Sequence, residues 1–323
     1  MADTFYVPLT ALRHQWVKEY ELGQGFDLVR FPARLAEAYR DFDHGYFRRR
    51  YGEQLINDIQ GNYCLKLEWP IDPFQTPEEM VYNLEDPAIT LLIVLRLLKP
   101  TNAGLRTIFH VPATLDLGFP FDFVDYRMQG STVRTNEELP PFTEEDIPQI
   151  VYYYAKLLEL LKREYHHRRI FNALRFFDLG YRSGNIDSRL IYFAIALEVL
   201  FKPLRGRISR GMTDRIADFL GSTPEEHEAI IRKMLALVDL KSRITHGDMT
   251  YFDISRPDKV ALVRDQEDLL RSALQKILQK DKLIQTFSQV KERDSYFEKR
   301  LGPPPPFVPA QGRPTAPPRP NQA

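Results

Sequence analysis

The chain has 323 residues, enough at ordinary domain sizes for two domains and a sizeable buried core. Hydrophobic residues make up 43% and charged residues 27%, which excludes the disordered, fibrous and membrane-spanning classes. Lysine plus arginine and aspartate plus glutamate stand at 44 each, so no whole-molecule field draws the chain to nucleic acid or a membrane, and any polyanion site must be local.

Met1-Ala2-Asp3-Thr4-Phe5 lacks the basic start and apolar run of a secretory signal, and the single Cys64 forbids an internal disulfide and a thiolate metal cluster. A reducing, cytoplasmic setting is expected, with no cofactor and no metal. Residues 1–142 mix short segments with aromatic and proline punctuation and read as an α+β module for sensing or partner binding. Within it, Asp86-Pro87 is expected to open a helix through Leu98, with aspartate as N-cap and proline at the first helical position. The apolar run Ile89–Leu98 is interrupted by Arg96 and falls short of the roughly 20 residues that span a bilayer, so it reads as a core helix. Leu105 to Val111 and Phe121 to Val133, rich in β-branched and aromatic residues, are predicted strands.

At Thr143 the pattern changes to helical periodicity, opened by a cap candidate and by Glu144, Glu145 and Asp146. Helices are predicted over 144–164, 167–180, 186–202, 212–221, 225–246 and 257–280, so residues 143–282 form an all-α bundle and the chain is mainly helical. Residues 283–323 read as an extension with a proline-rich tail from 302, of polyproline II character, either an inert tail or a ligand for an SH3-like groove.

Several motifs fail. Gly23-Gln24-Gly25 lacks the third glycine of a dinucleotide fingerprint, and Ile231 stands where His227-Glu228 would need a second histidine for a zinc-protease helix. His166 and His167, being adjacent, point about 100° apart on a helix and do not share a metal easily. The helix that ends at His246 is more informative. It places Ile230, Ile231, Met234, Leu235, Leu237 and Val238 on an apolar arc, with Asp239, Arg243 and His246 roughly opposite. Asp239 and Arg243 have the spacing of an ion pair. Lys241 falls on the apolar arc, where its head must snorkel, find a partner or line an interface. On an ideal helix Lys241 and His246 are about 140° apart, so either the last turn distorts or two chains contribute.

Ala196-Leu197-Glu198-Val199-Leu200-Phe201, Arg215-Ile216-Ala217-Asp218-Phe219-Leu220 and Leu240-Lys241-Ser242-Arg243-Ile244-Thr245-His246-Gly247 occur in the order and spacing of the Apea-like branch of the HEPN domains. Asn172-Ala173-Leu174-Arg175-Phe176 and the apolar helix from Asp86 also resemble that family, so the likeness covers about residues 85–280. The resemblance implies a helical bundle that dimerises and a metal-independent ribonuclease of toxin or antiviral systems. In the family motif, arginine and a polar residue precede a histidine; here Lys241 takes the arginine position, Ser242 the polar one and His246 the histidine.

The implied role of His246 is proton transfer as a ribose 2′-hydroxyl attacks the neighbouring phosphate, while the cation offsets phosphoryl charge. Lysine lacks arginine's planar fork, so Arg243 is a substitute candidate. Glu198 is a candidate to orient Lys241 or Arg243, or else a plain ion-pair partner, and Asp239 a supporting residue. Lys202, Arg205, Arg207 and Arg210, with Arg168, Arg169 and Arg175, are candidates to track an RNA backbone, or residues that solvate helix ends. The leading expectation is therefore a homodimer that cleaves or binds RNA in defence or stress, with a trigger protein on the first module. The rival is a degenerate HEPN scaffold that works by binding proteins or nucleotides.

Overall fold

A computed structural model describes residues 2–42, 59, 61–70, 77–105, 107–114, 119–122, 134, 138–204 and 208–302. The chain is mainly helical and begins with an antiparallel sheet. The strands are β1 (Ala2–Thr10), β2 (Tyr20–Gly23), β3 (Phe26–Arg30), β4 (Tyr63–Pro70), β5 (Gly104–Leu105), β6 (Thr107–Val111) and β7 (Phe119–Asp122), in the order β2-β3-β4-β1-β6-β7 with β5 beside β1. Period-two alternation sorts their side chains. Phe5, Val7, Leu9, Leu28, Leu65 and Ile108 face the helices, while Val29, Cys64, Phe109 and Val111 face the other way, against α1 (Ala33–Phe42). Gly23-Gln24-Gly25 is the turn of the β2–β3 hairpin, all three residues at positive φ, which is what its glycines are for.

The apolar helix departs from its expected start. It runs as α2 over Pro77–Leu98 with Pro87 inside it. Pro87 loses one backbone bond, but Leu84, Ala88, Leu91, Leu92 and Leu95 are all buried on the same element, and that packing outweighs the cost of about 3 kcal/mol. Of the strands expected beyond it, β5 and β6 match the first, β7 overlaps the start of the second, and 123–133 lie outside the described residues.

Thr143 caps a 3-10 turn at Glu144–Asp146, and α3 (Ile147–Leu161), α4 (Glu164–Arg182), α5 (Ile186–Phe201), α6 (Ile208–Leu220), α7 (Pro224–Thr245), the short α8 (Tyr251–Ile254) and α9 (Pro257–Leu278) follow. Two further helices, α10 (Asp281–Ser288) and α11 (Val290–Leu301), continue the packed structure past residue 282, with Phe287 and Phe297 fully buried among Phe201 and Phe219. The tail from 303 lies outside the described residues. One hydrophobic core joins sheet and helices, from Phe5 to Phe297. Where α4 crosses α5, Gly180 lies so close to the Phe193 ring that a β-carbon there would clash with it.

Candidate functional site

Site geometry rests on α5, which is held at its C-terminal end by arginines from three other helices. Arg293 donates to the carbonyls of Val199, Leu200 and Lys202, Arg169 to that of Val199, and Arg215 to that of Phe201 at 3.5 Å and to Asp294 on α11 at 2.6 Å. Cations belong there because a helix C-terminus presents unpaired carbonyls and the negative end of its dipole. Burial, then the neighbouring Arg293, lowers the Arg169 guanidinium to about 10. Arg169 is thus engaged with the end of α5 through the Val199 carbonyl.

Across from the fixed end of α5 lies α7. Thr223 caps its start by accepting from the Glu226 N–H, Pro224 takes the first turn, and Glu225 and Glu226 complement the dipole. Its far end is closed by a Schellman motif: the Asp248 N–H donates to Arg243 at 2.8 Å, the Gly247 N–H to Ile244 at 3.1 Å, and Gly247 has φ +77°. The last turn is thus regular up to its cap, and no distortion swings His246 towards Lys241. Only Met234, Leu237 and Leu240 of α7 are buried; Ile230, Ile231 and Val238 are partly covered, and Leu235, expected in the core, is 50% exposed. The reason is position: α7 packs on α6, α9 and α5 and leaves the far part of its arc uncovered.

Lys241 finds a partner. Its ammonium pairs with Glu198 of α5, with side chains 28% and 30% exposed. The pair borders a cleft of about 240 Å³ between α5, α6 and α7, which Ser242 and Thr245 also line. His246 is exposed at the cap and does not line this cleft. Arg243 and Asp239 are exposed and, among the described residues, form no ion pair with each other. Of the basic set, Arg205 and Arg207 and the side chain of Arg210 lie outside the described residues, and Lys202, Arg168 and Arg175 are exposed.

His167 lies in the first turn of α4. It contacts the Ser288 hydroxyl at 2.8 Å beside a kink in α4. Among the described residues no three His, Cys, Asp or Glu side chains gather as a metal site, and no helix is long and apolar enough to cross a membrane.

Sequence reasoning passed over Gln266 on α9. It is 1% exposed, it lines the cleft, and its carboxamide nitrogen donates to the Leu190 carbonyl at 3.3 Å. The signal was present in the spacing. Val263, Gln266, Glu267, Leu270, Arg271 and Leu274 share one helical face, so three polar residues stand at core positions. Comparison with protein-family models, curated proteins and solved structures gives no match.

Proposed function

We propose that this chain is a HEPN-type protein that acts on RNA as a homodimer, the paired copies bringing Lys241 of one chain and His246 of its partner to the same phosphodiester. The end of α7 carries this reading. A regular helix turns Lys241 into the cleft and leaves His246 in solvent five residues on, so the cation and the proton-transfer group share one helix end that a single copy does not join.

In this reaction the ribose 2′-hydroxyl loses its proton and bonds to the adjacent phosphorus, and the 5′-oxygen leaves with a proton, giving a 2′,3′-cyclic phosphate and a 5′-hydroxyl end. His246 moves the proton, and Lys241 offsets charge on the non-bridging oxygens. The ammonium has three N–H donors, so it serves a phosphate while keeping Glu198. Lysine gives a point charge and no bidentate fork, so cleavage is slower than with arginine.

One observation favours a second reading. Glu198 already offsets the charge of Lys241, as suits a scaffold that has given up cleavage and retains binding. Incubating wild type and His246→Ala with labelled RNA in EDTA separates the two. Cyclic-phosphate ends from wild type alone support the nuclease; no cleavage by either supports the scaffold.

A further inference from the structure

A chain with no net charge must gather its cations in one place to hold a polyanion, and the corner between α3 and α4 is one such place. Lys162-Arg163-Glu164-Tyr165-His166-His167-Arg168-Arg169 sets four fixed positive charges against one negative. Glu164 is the first residue of α4, where the helix dipole favours an acid, and Arg169 turns inward to the Val199 carbonyl. The other three cations stay outside. Lys162, Arg163 and Arg168 are exposed, and among the described residues their head groups have neither an ion pair nor a hydrogen bond. Arg175 is exposed and unpaired in the same way, and it falls with Arg168 and Asn172 on one side of α4 at helical spacing. Burial first, then His166, Arg163 and Lys156, hold the His167 imidazole below its ordinary range, as a positive local field requires.

An aromatic ring stands among these cations. Tyr165 is 81% exposed, more than any other large hydrophobic side chain among the described residues. The Arg168 guanidinium lies over its ring at 5.9 Å from the centre, and the His166 imidazole meets it edge-on at 6.0 Å. So exposed a ring keeps a face open for stacking. The kink at His167 that shapes this turn is held by the contact with Ser288 at 2.8 Å. Two polyanions could meet such a corner, a membrane surface and a nucleic acid. A membrane needs apolar side chains to enter it, and between 158 and 180 Tyr165 is alone among large hydrophobic residues in being exposed. A single-stranded nucleic acid supplies both complements, phosphates for the unpaired cations and a free base for the ring, whereas a duplex keeps its bases stacked on one another.

We propose that the corner between α3 and α4 binds single-stranded RNA, with a base stacked on Tyr165 and the phosphates on either side held by Lys162, Arg163, Arg168 and Arg175. The choice of RNA rests on the function proposed above. The surface itself is separate from the chemistry, since none of these residues lines the cleft at Lys241.

The test follows the fluorescence anisotropy of a labelled single strand of about 12 ribonucleotides with every 2′-hydroxyl methylated, so that the full chain binds it without cleaving it. Tyr165→Ala is expected to weaken binding about tenfold with the salt dependence unchanged, and Tyr165→Phe to stay within about twofold of wild type. Arg168→Gln is expected to lower the slope of log affinity against log salt by about 0.7, one phosphate contact. Both side chains are exposed, so their replacement leaves the fold in place. The proposal is overturned if Tyr165→Ala binds the strand as wild type does, if that substitution costs the annealed duplex as much as the single strand, or if phosphatidylserine vesicles capture the chain and the strand does not. RNA cleavage by wild type together with unchanged binding in Tyr165→Ala would sink this surface and leave the nuclease reading standing, and binding that depends on Tyr165 in a chain that never cleaves would do the reverse.

Discussion

Arg96 and Lys241 each stand on an apolar stretch of helix with a carboxylate opposite, yet the two are held in different ways. Arg96 is wholly buried, paired with Asp178, within 3.3 Å of the Ala103 carbonyl and 5.0 Å from the centre of the Tyr181 ring. Beside it Arg271 binds Glu267, Tyr181 at 2.5 Å and the Arg96 carbonyl at 2.9 Å, so these charges knit α2, α4 and α9 together. Among the described residues the Lys241 ammonium has one partner, and the side chain is partly exposed and borders a cleft. A fully desolvated ion is tolerable only while its partners stay fixed, whereas a half-exposed one exchanges partners at little cost. The first arrangement serves the fold, and the second is available to a ligand.

This contrast breaks most readily at Asp178. Asp178→Ala leaves Arg96 buried without its carboxylate and should cost about 3–5 kcal/mol in the urea midpoint; a loss below about 1 kcal/mol would place Arg96 in the same class as Lys241. Next in size is Gly180→Ala, which drives a methyl into the Phe193 ring and should destabilise by about 1–3 kcal/mol in the same assay. Glu198→Gln sharpens the comparison from the other side. Stability should change by less than about 1 kcal/mol. Under the nuclease reading it should also alter RNA cleavage, because the head of Lys241 loses its fixed partner.

The smallest effect is with pH. Burial, helped by Arg30 at His14 and by His166 and Arg163 at His167, lowers both imidazoles from the ordinary 6.5. The unfolded chain then binds protons that the folded chain refuses. The contribution to stability is complete above pH 6.5 and falls as pH drops from there through the folded values. Urea midpoints from pH 8 to 5 should therefore decline, and the decline should flatten in His167→Asn.

Helical elements were the most legible part of the sequence. The six helices from 144 to 280 stand within a few residues of their expected bounds, because periodicity and caps such as Thr223-Pro224 and Gly247 are local signals. The start of α2 was misplaced because Asp86-Pro87 imitates a helix N-terminus, and only burial of Leu84 on the preceding turn reveals otherwise. Strand order was not legible, since the pairing of β1 with β4 and β6 joins residues some 60 to 110 positions apart. At the site, helical phase placed Lys241 on the apolar arc and left it to snorkel, pair or line an interface, and the pair with Glu198 is what forms. The exposure of Leu235 and the turning of Arg169 onto α5 depend on which helices cover which faces, and periodicity within one helix does not specify that.

The most direct test of the two-chain site is complementation. Lys241→Ala and His246→Ala are each expected to be inactive on RNA in EDTA. When the two are mixed equally and allowed to exchange, half the dimers hold one of each and one intact site of two, so cleavage should return to about one quarter of wild type. A mixture no more active than either variant, beside an active wild type, would contradict the joining of Lys241 and His246 across two copies.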